Sequence, residues 1–167
     1  MTLKILVDGC AFDELHRFGV DLDKEKNGEG YELVVSALVV RELERIPDSQ
    51  KRQLLLSYAQ KLRCGDRDYF GFRGGFGSSN FIPEKINDFL VSTSSSIGAQ
   101  RPGKDAKNIV DRHQLGLSID SAVLTAENKI GRGLGSKAVA LGATIINIKS
   151  FNPDSESFSS FILRHIS

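Results

Sequence analysis

The stretch "LKILVDG" at residues 3–9 decides the fold, because a short, mainly apolar run ends there in an acidic turn. The run has the length and composition of a buried strand, and the pair Asp8-Gly9 is typical of a turn. A helix is predicted directly afterwards, because apolar side chains recur at helical spacing up to Gly19. These side chains are Phe12, Leu15 and Phe18. A strand that leads straight into a helix predicts a βαβ unit and a parallel sheet.

The same alternation of apolar runs and helical periods continues along the chain. Further strands are predicted at 31–36, 121–125 and 143–148. Further helices are predicted at 37–46, 49–62, 83–91, 104–115, 129–141 and 152–166. Ser36 is placed to cap the first of these helices, and Gly116 is placed to end the helix at 104–115. The pattern predicts an α/β fold with three α/β/α layers and a central, mainly parallel sheet.

Length and composition predict a single domain over residues 1–167, since 167 residues with 40% hydrophobic content can fill one core. The segment at about 65–82 is rich in glycine and aromatic residues, which predicts an inserted hairpin. The polar segment at about 92–103 predicts a mobile connection, and the polar segment 21–30 predicts a surface loop.

Charge and cysteine content exclude several classes of protein. The formal net charge is +1 and the isoelectric point is near 7.8, so nucleic-acid binding would need a local basic patch. Only Cys10 and Cys64 are present, without a paired motif, which argues against a zinc site or a disulfide framework. The start of the chain lacks the pattern of a signal peptide, and no apolar run is long enough to cross a bilayer. We therefore expect a soluble cytoplasmic protein without a membrane partner.

Four carboxylates are predicted at one edge of the sheet. Asp8 follows the first strand, and Glu127 lies two residues beyond the strand at 121–125. Asp105 is in the first turn of a helix that leads down to that strand, and Glu42 lies about one and a half turns into the helix after the strand at 31–36. Because ligands of parallel sheets bind at the carboxyl ends of the strands, these four acids can converge on one cleft.

Such a set of acids favours a metal ion, because carboxylates packed together repel each other unless a cation lies among them. Hard oxygen ligands without His or Cys favour Mg²⁺ or Mn²⁺. These ions activate water and stabilise charge on a phosphate, so hydrolysis of a phosphodiester is the reaction that the pattern indicates.

Four motifs carry a resemblance to a known family. In chain order, "ILVDG", "VVSALVVREL", "KDAKNIVDRHQLG" and "VLTAENK" resemble the acidic motifs of PIN-domain ribonucleases, over residues 3 to about 148. The resemblance implies a PIN-like, Rossmann-like fold with catalytic, metal-binding acids and a hydroxyl residue, Thr125, just before the fourth acid. The acids implied are Asp8, Glu42, Asp105 and Glu127. The motif spacing favours Glu42 over Glu44 and Asp105 over Asp111, which also lies too close to Gly116 to begin a helix.

The chain departs from the family pattern at three places, one of which is the glycine- and aromatic-rich stretch at 65–82. Glu127 stands where an aspartate is more usual, which lengthens the side chain by one methylene and suggests contact with a metal through water. The segment "LSID" at 117–120 is longer than in compact family members. Each acid also has a simpler interpretation: Asp8 as a turn residue, Glu42 as a surface partner of Arg45, and Asp105 and Glu127 as helix-start residues. Asn128 is an alternative ligand to Glu127.

Basic residues gather around the last two acids in sequence, at Arg101, Lys104, Lys107, Arg112, Lys129, Arg132 and Lys137. Of these, we expect five to contact a phosphate backbone, namely Lys104, Lys107, Arg112, Lys129 and Arg132. An ordinary solvated surface explains them equally well. Aromatic residues in "YFGFRGGFG" at 69–77 suggest base stacking, but phenylalanines in the core of a hairpin are the better interpretation.

The sequence therefore predicts a metal-dependent nuclease, most simply an endoribonuclease that acts as a toxin or in RNA processing or decay. RNA is the expected partner, with DNA, an antitoxin or other protein, and a homodimer left open. The first alternative is a PIN-like RNA-binding module that is catalytically weak or inactive. A phosphatase with Asp8 as nucleophile is less well supported, because Cys10 stands where the haloacid-dehalogenase family needs a second aspartate.

Overall fold

A computed structural model of the chain describes residues 2–64, 83–93, 104–127 and 133–167, and it describes the side chains of the helix at 104–117 from Asp111 onward. The predicted hairpin at 65–82, most of the predicted connection at 92–103, and the basic residues Lys129 and Arg132 lie outside these residues.

Six strands form one sheet in the described chain. They are β1 (Leu3–Val7), β2 (Asn27–Gly28), β3 (Tyr31–Val35), β4 (Arg63–Cys64), β5 (Ala122–Thr125) and β6 (Thr144–Asn147). The order is β2-β3-β1-β5-β6, and β4 pairs with β3 beyond the end of β2. All neighbours are parallel except β2, which runs antiparallel to β3. The prediction of a mainly parallel sheet is confirmed.

Alternate side chains of the central strands pack into two separate clusters. Ile5 and Val7 of β1 belong to one cluster, and Leu6 between them belongs to the other. Since successive side chains of a strand point to opposite faces, the two clusters lie on opposite faces of the sheet. Buried hydrophobic residues cover both faces, which is why the central strands read as continuous apolar runs.

Helices supply the other half of each cluster. They are α1 (Gly9–Arg17), α2 (Leu22–Glu25), α3 (Ala37–Glu44), α4 (Ser49–Ala59), α5 (Glu84–Ser92), α6 (Lys104–Leu117), α7 (Gly133–Ala140) and α8 (Phe158–Ile166). Side chains of α1, α3, α4 and α8 pack on the face of Ile5, and those of α5, α6 and α7 pack on the face of Leu6. This mixed α/β arrangement is the one expected of a three-layer fold. None of the helices in the described residues is both long enough and apolar enough to cross a bilayer.

Local sequence explains where several of these helices begin. Ser36 caps α3 as predicted, since its side chain accepts a hydrogen bond from the Val39 N–H group. Asp8 caps α1, Asp48 caps α4 and Ser157 caps α8 in the same way. Pro83 precedes the first residue of α5, as predicted for a helix that opens at a proline.

Two local predictions are wrong, and one strand was not predicted. The segment predicted as a surface loop at 21–30 contains α2 and β2, and β4 was not predicted at all. Gly116 does not end α6, because the helix continues to Leu117. A Cβ atom on Gly116 would lie 3.3 Å from a Leu90 side-chain atom, so this glycine permits close packing of α6 on α5. Within the segment at 117–120, Leu117 and Ile119 are buried in the core.

Candidate functional site

The carboxyl ends of the three central strands align three polar residues. The register pairs Leu6 with Val34 of β3 and with Val123 of β5, so Asp8 lies level with Ser36 on one side and Thr125 on the other. All three are buried, with at most 4% of each residue exposed. By the alternation of the strands, their side chains point to the face that carries α5, α6 and α7.

This row lies at the point where the direction of the chain across the sheet reverses. From β1 the chain passes to β3 on one side, and it later continues through β5 and β6 on the other side. The crevice between two strands at such a reversal is where open α/β sheets bind ligands. Asp8 of β1 and Thr125 of β5 border this crevice.

Every carboxylate oxygen of Asp8 has a donor. Oδ1 accepts from the Gly9 N–H group at 2.8 Å, and Oδ2 accepts from the Thr125 hydroxyl at 2.8 Å. The Cys10 thiol also donates to Oδ2, at 3.3 Å. A buried carboxylate is costly without such partners, so these bonds hold Asp8 in one orientation.

Cys10 closes this group of side chains. Its sulfur lies 3.4 Å from Thr125 Oγ1 and accepts from the Ala126 N–H group at 3.4 Å. Burial, and then the charge of Asp8, raise the pKa of the Cys10 thiol to about 11 from its ordinary value of 9.0. The thiol therefore stays protonated at neutral pH and acts as a donor to Asp8.

A second carboxylate, that of Glu42, lies beside the same turn. A Cβ atom on Gly9 would be only 3.2 Å from Glu42 Oε2, so the glycine leaves room for this carboxylate against the backbone. Glu42 is half-buried and belongs to α3, which begins at Ser36. Both acids lie at the amino end of α1, where the helix dipole favours negative charge. The structure thus places Glu42 beside Gly9, the residue that follows Asp8.

Gln114 of α6 reaches the row from the helix layer. Its Nε2 donates to Ser36 Oγ at 2.9 Å, and only 1% of the residue is exposed. Its Oε1 is buried and has no hydrogen-bond partner among the described residues. An amide oxygen in this state needs a donor that a ligand or a water molecule would supply.

The other two predicted acids are placed by their backbones. The Glu127 N–H group donates to Thr125 Oγ1 at 3.2 Å, which puts half-buried Glu127 at the same edge as Asp8. Asp105 lies in the first turn of α6, and its side chain is outside the described part of the chain. With a rise of 1.5 Å per residue, Asp105 lies about 14 Å along the helix from Gln114, and half-buried Asp111 lies about 4.5 Å from it. Asp111 lies in the middle of α6, as expected of a residue that does not begin a helix.

Of the five predicted phosphate-binding residues, one has a described side chain. Arg112 donates from its guanidinium to the Leu90 carbonyl of α5 and is half-buried. This contact ties α6 to α5. The side chains of Lys104 and Lys107, like Lys129 and Arg132, lie outside the described residues, so their predicted role stays a prediction.

The side-chain oxygens near this turn are of the chemical type that binds a hard divalent cation, although the described residues supply few of them. Carboxylate oxygens such as those of Asp8 and Glu42 are ligands that Mg²⁺ and Mn²⁺ accept. No group of three or more His, Cys, Asp or Glu side chains that could hold an ion occurs within the described residues. The predicted convergence of four acids therefore stays a prediction.

Cys10 and Gln114 belong to this site and were not predicted for it. A signal for Gln114 was present in the sequence, because it interrupts the apolar spacing of Val110 and Leu117 on one side of the helix. The role of Cys10 depends on its distance from Thr125, which is 115 residues away in the chain, so no local pattern reveals it.

Comparison of the chain with protein-family models, with curated proteins and with solved structures finds no match in any of the three.

Proposed function

We propose that the chain is a PIN-like, Mg²⁺- or Mn²⁺-dependent nuclease whose substrate is RNA. The observation that carries the proposal is the pair of carboxylates at one turn, with Asp8 held by Gly9, Cys10 and Thr125, and Glu42 against Gly9. Their position at the reversal of the chain across the sheet supports a ligand site there. The resemblance of the four acidic motifs to PIN-domain ribonucleases supplies the reaction class.

Each side chain of the site would have a separate role. Asp8 and Glu42 would hold the cation, and Thr125 and Cys10 would keep Asp8 in the orientation that binds it. When bound, the cation activates water and stabilises the negative charge that develops on the phosphate. Basic residues of α6 and of the segment after β5 would hold the substrate backbone.

The third acid of the site is Asp105 or Asp111. Asp105 follows from the resemblance to the PIN motifs, and Asp111 is favoured by its distance along α6 from Gln114. Changing each aspartate to asparagine distinguishes the two candidates, because only the aspartate that binds the metal should be required for Mn²⁺-dependent cleavage.

The test of the proposal is cleavage of single-stranded RNA in the presence of Mn²⁺ by the wild-type protein and by Asp8→Asn. Metal-assisted stabilisation worth several kcal/mol corresponds to a rate loss of roughly two to three orders of magnitude. Asp13→Asn is the matched control, because Asp13 is an acid of the same helix that forms a surface ion pair with Lys51. It should cleave as the wild type does.

Thermal unfolding with and without Mn²⁺ completes the test, because an ion that binds the native state raises the melting temperature. A wild-type protein that neither cleaves RNA nor responds to Mn²⁺ would refute the proposal. RNA binding without any response to the metal would instead identify the binding module that lacks catalysis. Full cleavage by Asp8→Asn would show that the active site lies elsewhere.

A further inference from the structure

We infer that Gln114 is a positioning residue of the metal site, with its buried amide oxygen accepting a hydrogen bond from a water molecule of the hydrated cation. The inference rests on the proposed function. It assigns a second part of the site, on α6, that the four acidic motifs do not contain.

The Gln114 amide lies beside the row of polar residues that contains Asp8. Ser36 lies level with Asp8 on the neighbouring strand, and strands are spaced by about 4.8 Å. Since Gln114 Nε2 bonds Ser36 Oγ at 2.9 Å, the amide group lies within hydrogen-bonding reach of the row that Asp8 belongs to.

The Gln114 amide oxygen is available to accept a hydrogen bond. Gln114 is 1% exposed, and the described part of the chain offers Oε1 no hydrogen-bond donor, whereas the amide nitrogen is bonded to Ser36. A buried acceptor left without a donor costs about 1 to 3 kcal/mol, so a residue that only filled space would be better replaced by leucine. Water molecules bound to a divalent cation are strong hydrogen-bond donors. A cation held by Asp8 and Glu42 would therefore supply a donor for Gln114 Oε1.

Gln114 is also connected to Glu42, through Ser36 and helix α3. Ser36 Oγ accepts hydrogen bonds both from Gln114 and from the Val39 N–H group at the start of α3. Gln114 therefore fixes the residue from which the helix carrying Glu42 begins. The same amide would orient a carboxylate ligand through α3 and a water ligand directly.

The experiment compares Mn²⁺ affinity, measured by calorimetric titration and by the shift in melting temperature, among four proteins. They are the wild type, Gln114→Leu, Gln114→Glu and Ser118→Ala. A residue that hydrogen-bonds to a metal ligand without touching the metal typically strengthens metal binding by about 10- to 100-fold. We expect a loss of this size for Gln114→Leu. Gln114→Glu retains an acceptor oxygen and adds charge, so it should bind Mn²⁺ at least as tightly as the wild type. Ser118→Ala removes another buried, hydrogen-bonded group of the α6 end and should leave the affinity unchanged.

The outcomes separate the inference from the proposed function. A wild-type protein that binds no Mn²⁺ overturns both. Wild-type affinity in folded Gln114→Leu, or an equal loss in Gln114→Glu, overturns the inference alone. If Gln114→Leu does not fold, Gln114→Glu decides, because tighter or unchanged binding supports the inference and a tenfold loss overturns it.

Discussion

The thiol of Cys10 shows how one residue is changed by its surroundings at the turn after β1. Burial and the neighbouring Asp8 carboxylate disfavour the thiolate, and the pKa rises to about 11. Because each pKa unit changes the thiolate fraction tenfold, alkylation at pH 8 should be roughly 100-fold slower than for a thiol with the ordinary value of 9.0.

Mass spectrometry of iodoacetamide-treated protein measures this rate for Cys10, and the same peptide from the denatured chain is the control. The folded rate should keep rising with pH beyond 9.0, since the raised pKa delays ionisation. A rate that levels off near 9.0 would contradict the burial of a protonated thiol next to a charged Asp8.

The hydroxyl of Thr125 is predicted to be necessary because it is a donor to a buried carboxylate. Thr125→Val keeps the shape of the side chain but removes the 2.8 Å bond to Asp8 and the acceptor of the Glu127 N–H group. We expect a loss of about 1 to 3 kcal/mol in the free energy of unfolding by urea. Thr144→Val, in the adjacent strand β6, is the control and should stay within about 0.5 kcal/mol of the wild type. Equal stabilities for the two variants would show that Asp8 does not depend on this bond.

At the scale of elements, α3 and α8 begin with the same residue type but differ in how the cap is used. Ser36 and Ser157 each accept from a backbone N–H group of their helix. Ser36 also accepts from Gln114 and is buried, whereas Ser157 is exposed. Ser157→Ala should cost about 1 kcal/mol as a lost cap. Ser36→Ala should cost about 1 to 3 kcal/mol more, because it leaves the Gln114 amide unpaired. Chemical denaturation of the two variants measures the difference, and equal losses would exclude a contribution from Gln114.

The elements that the sequence predicts are those with their own periodicity. The strand predicted at 3–7 is observed as Leu3–Val7. The helix predicted at 152–166 is observed only over Phe158–Ile166, which is the part that carries the apolar spacing. The strand at Arg63–Cys64 has two residues and exists only because the end of β3 is open for pairing, so no local pattern marks it. Gly116 reads as a helix end from its residue type, but its role depends on the packing of α6 on α5.

At the scale of the whole molecule, the site depends on an order of strands that the sequence does not state. Periodicity predicts that β1, β3, β5 and β6 are parallel, yet it leaves open which of them are neighbours. The observed order places β1 beside both β3 and β5, and therefore brings Asp8 level with Ser36 and Thr125. The acids that follow strands could be predicted to share an edge, whereas the partners that hold them could not.

The charge of the whole molecule limits how it could bind the proposed RNA substrate. With a formal net charge of +1, the phosphate contacts must come from a local cluster. Five basic residues were predicted for it, and the guanidinium of one, Arg112, is bonded to the Leu90 carbonyl. If the other four residues each contact a phosphate, the logarithm of the binding constant should fall with the logarithm of salt concentration with a slope no steeper than about −3.

Fluorescence anisotropy with labelled single-stranded RNA and the Asp8→Asn protein measures this slope without cleavage. Adding Lys104→Ala and Lys107→Ala together should make the slope shallower by about 1.4, since each phosphate contact contributes about 0.7. Arg112→Ala should instead lower the melting temperature and leave the slope unchanged, because its guanidinium serves the contact between α6 and α5. A change of slope in Arg112→Ala as large as that per lysine would place Arg112 on the RNA and contradict its structural role.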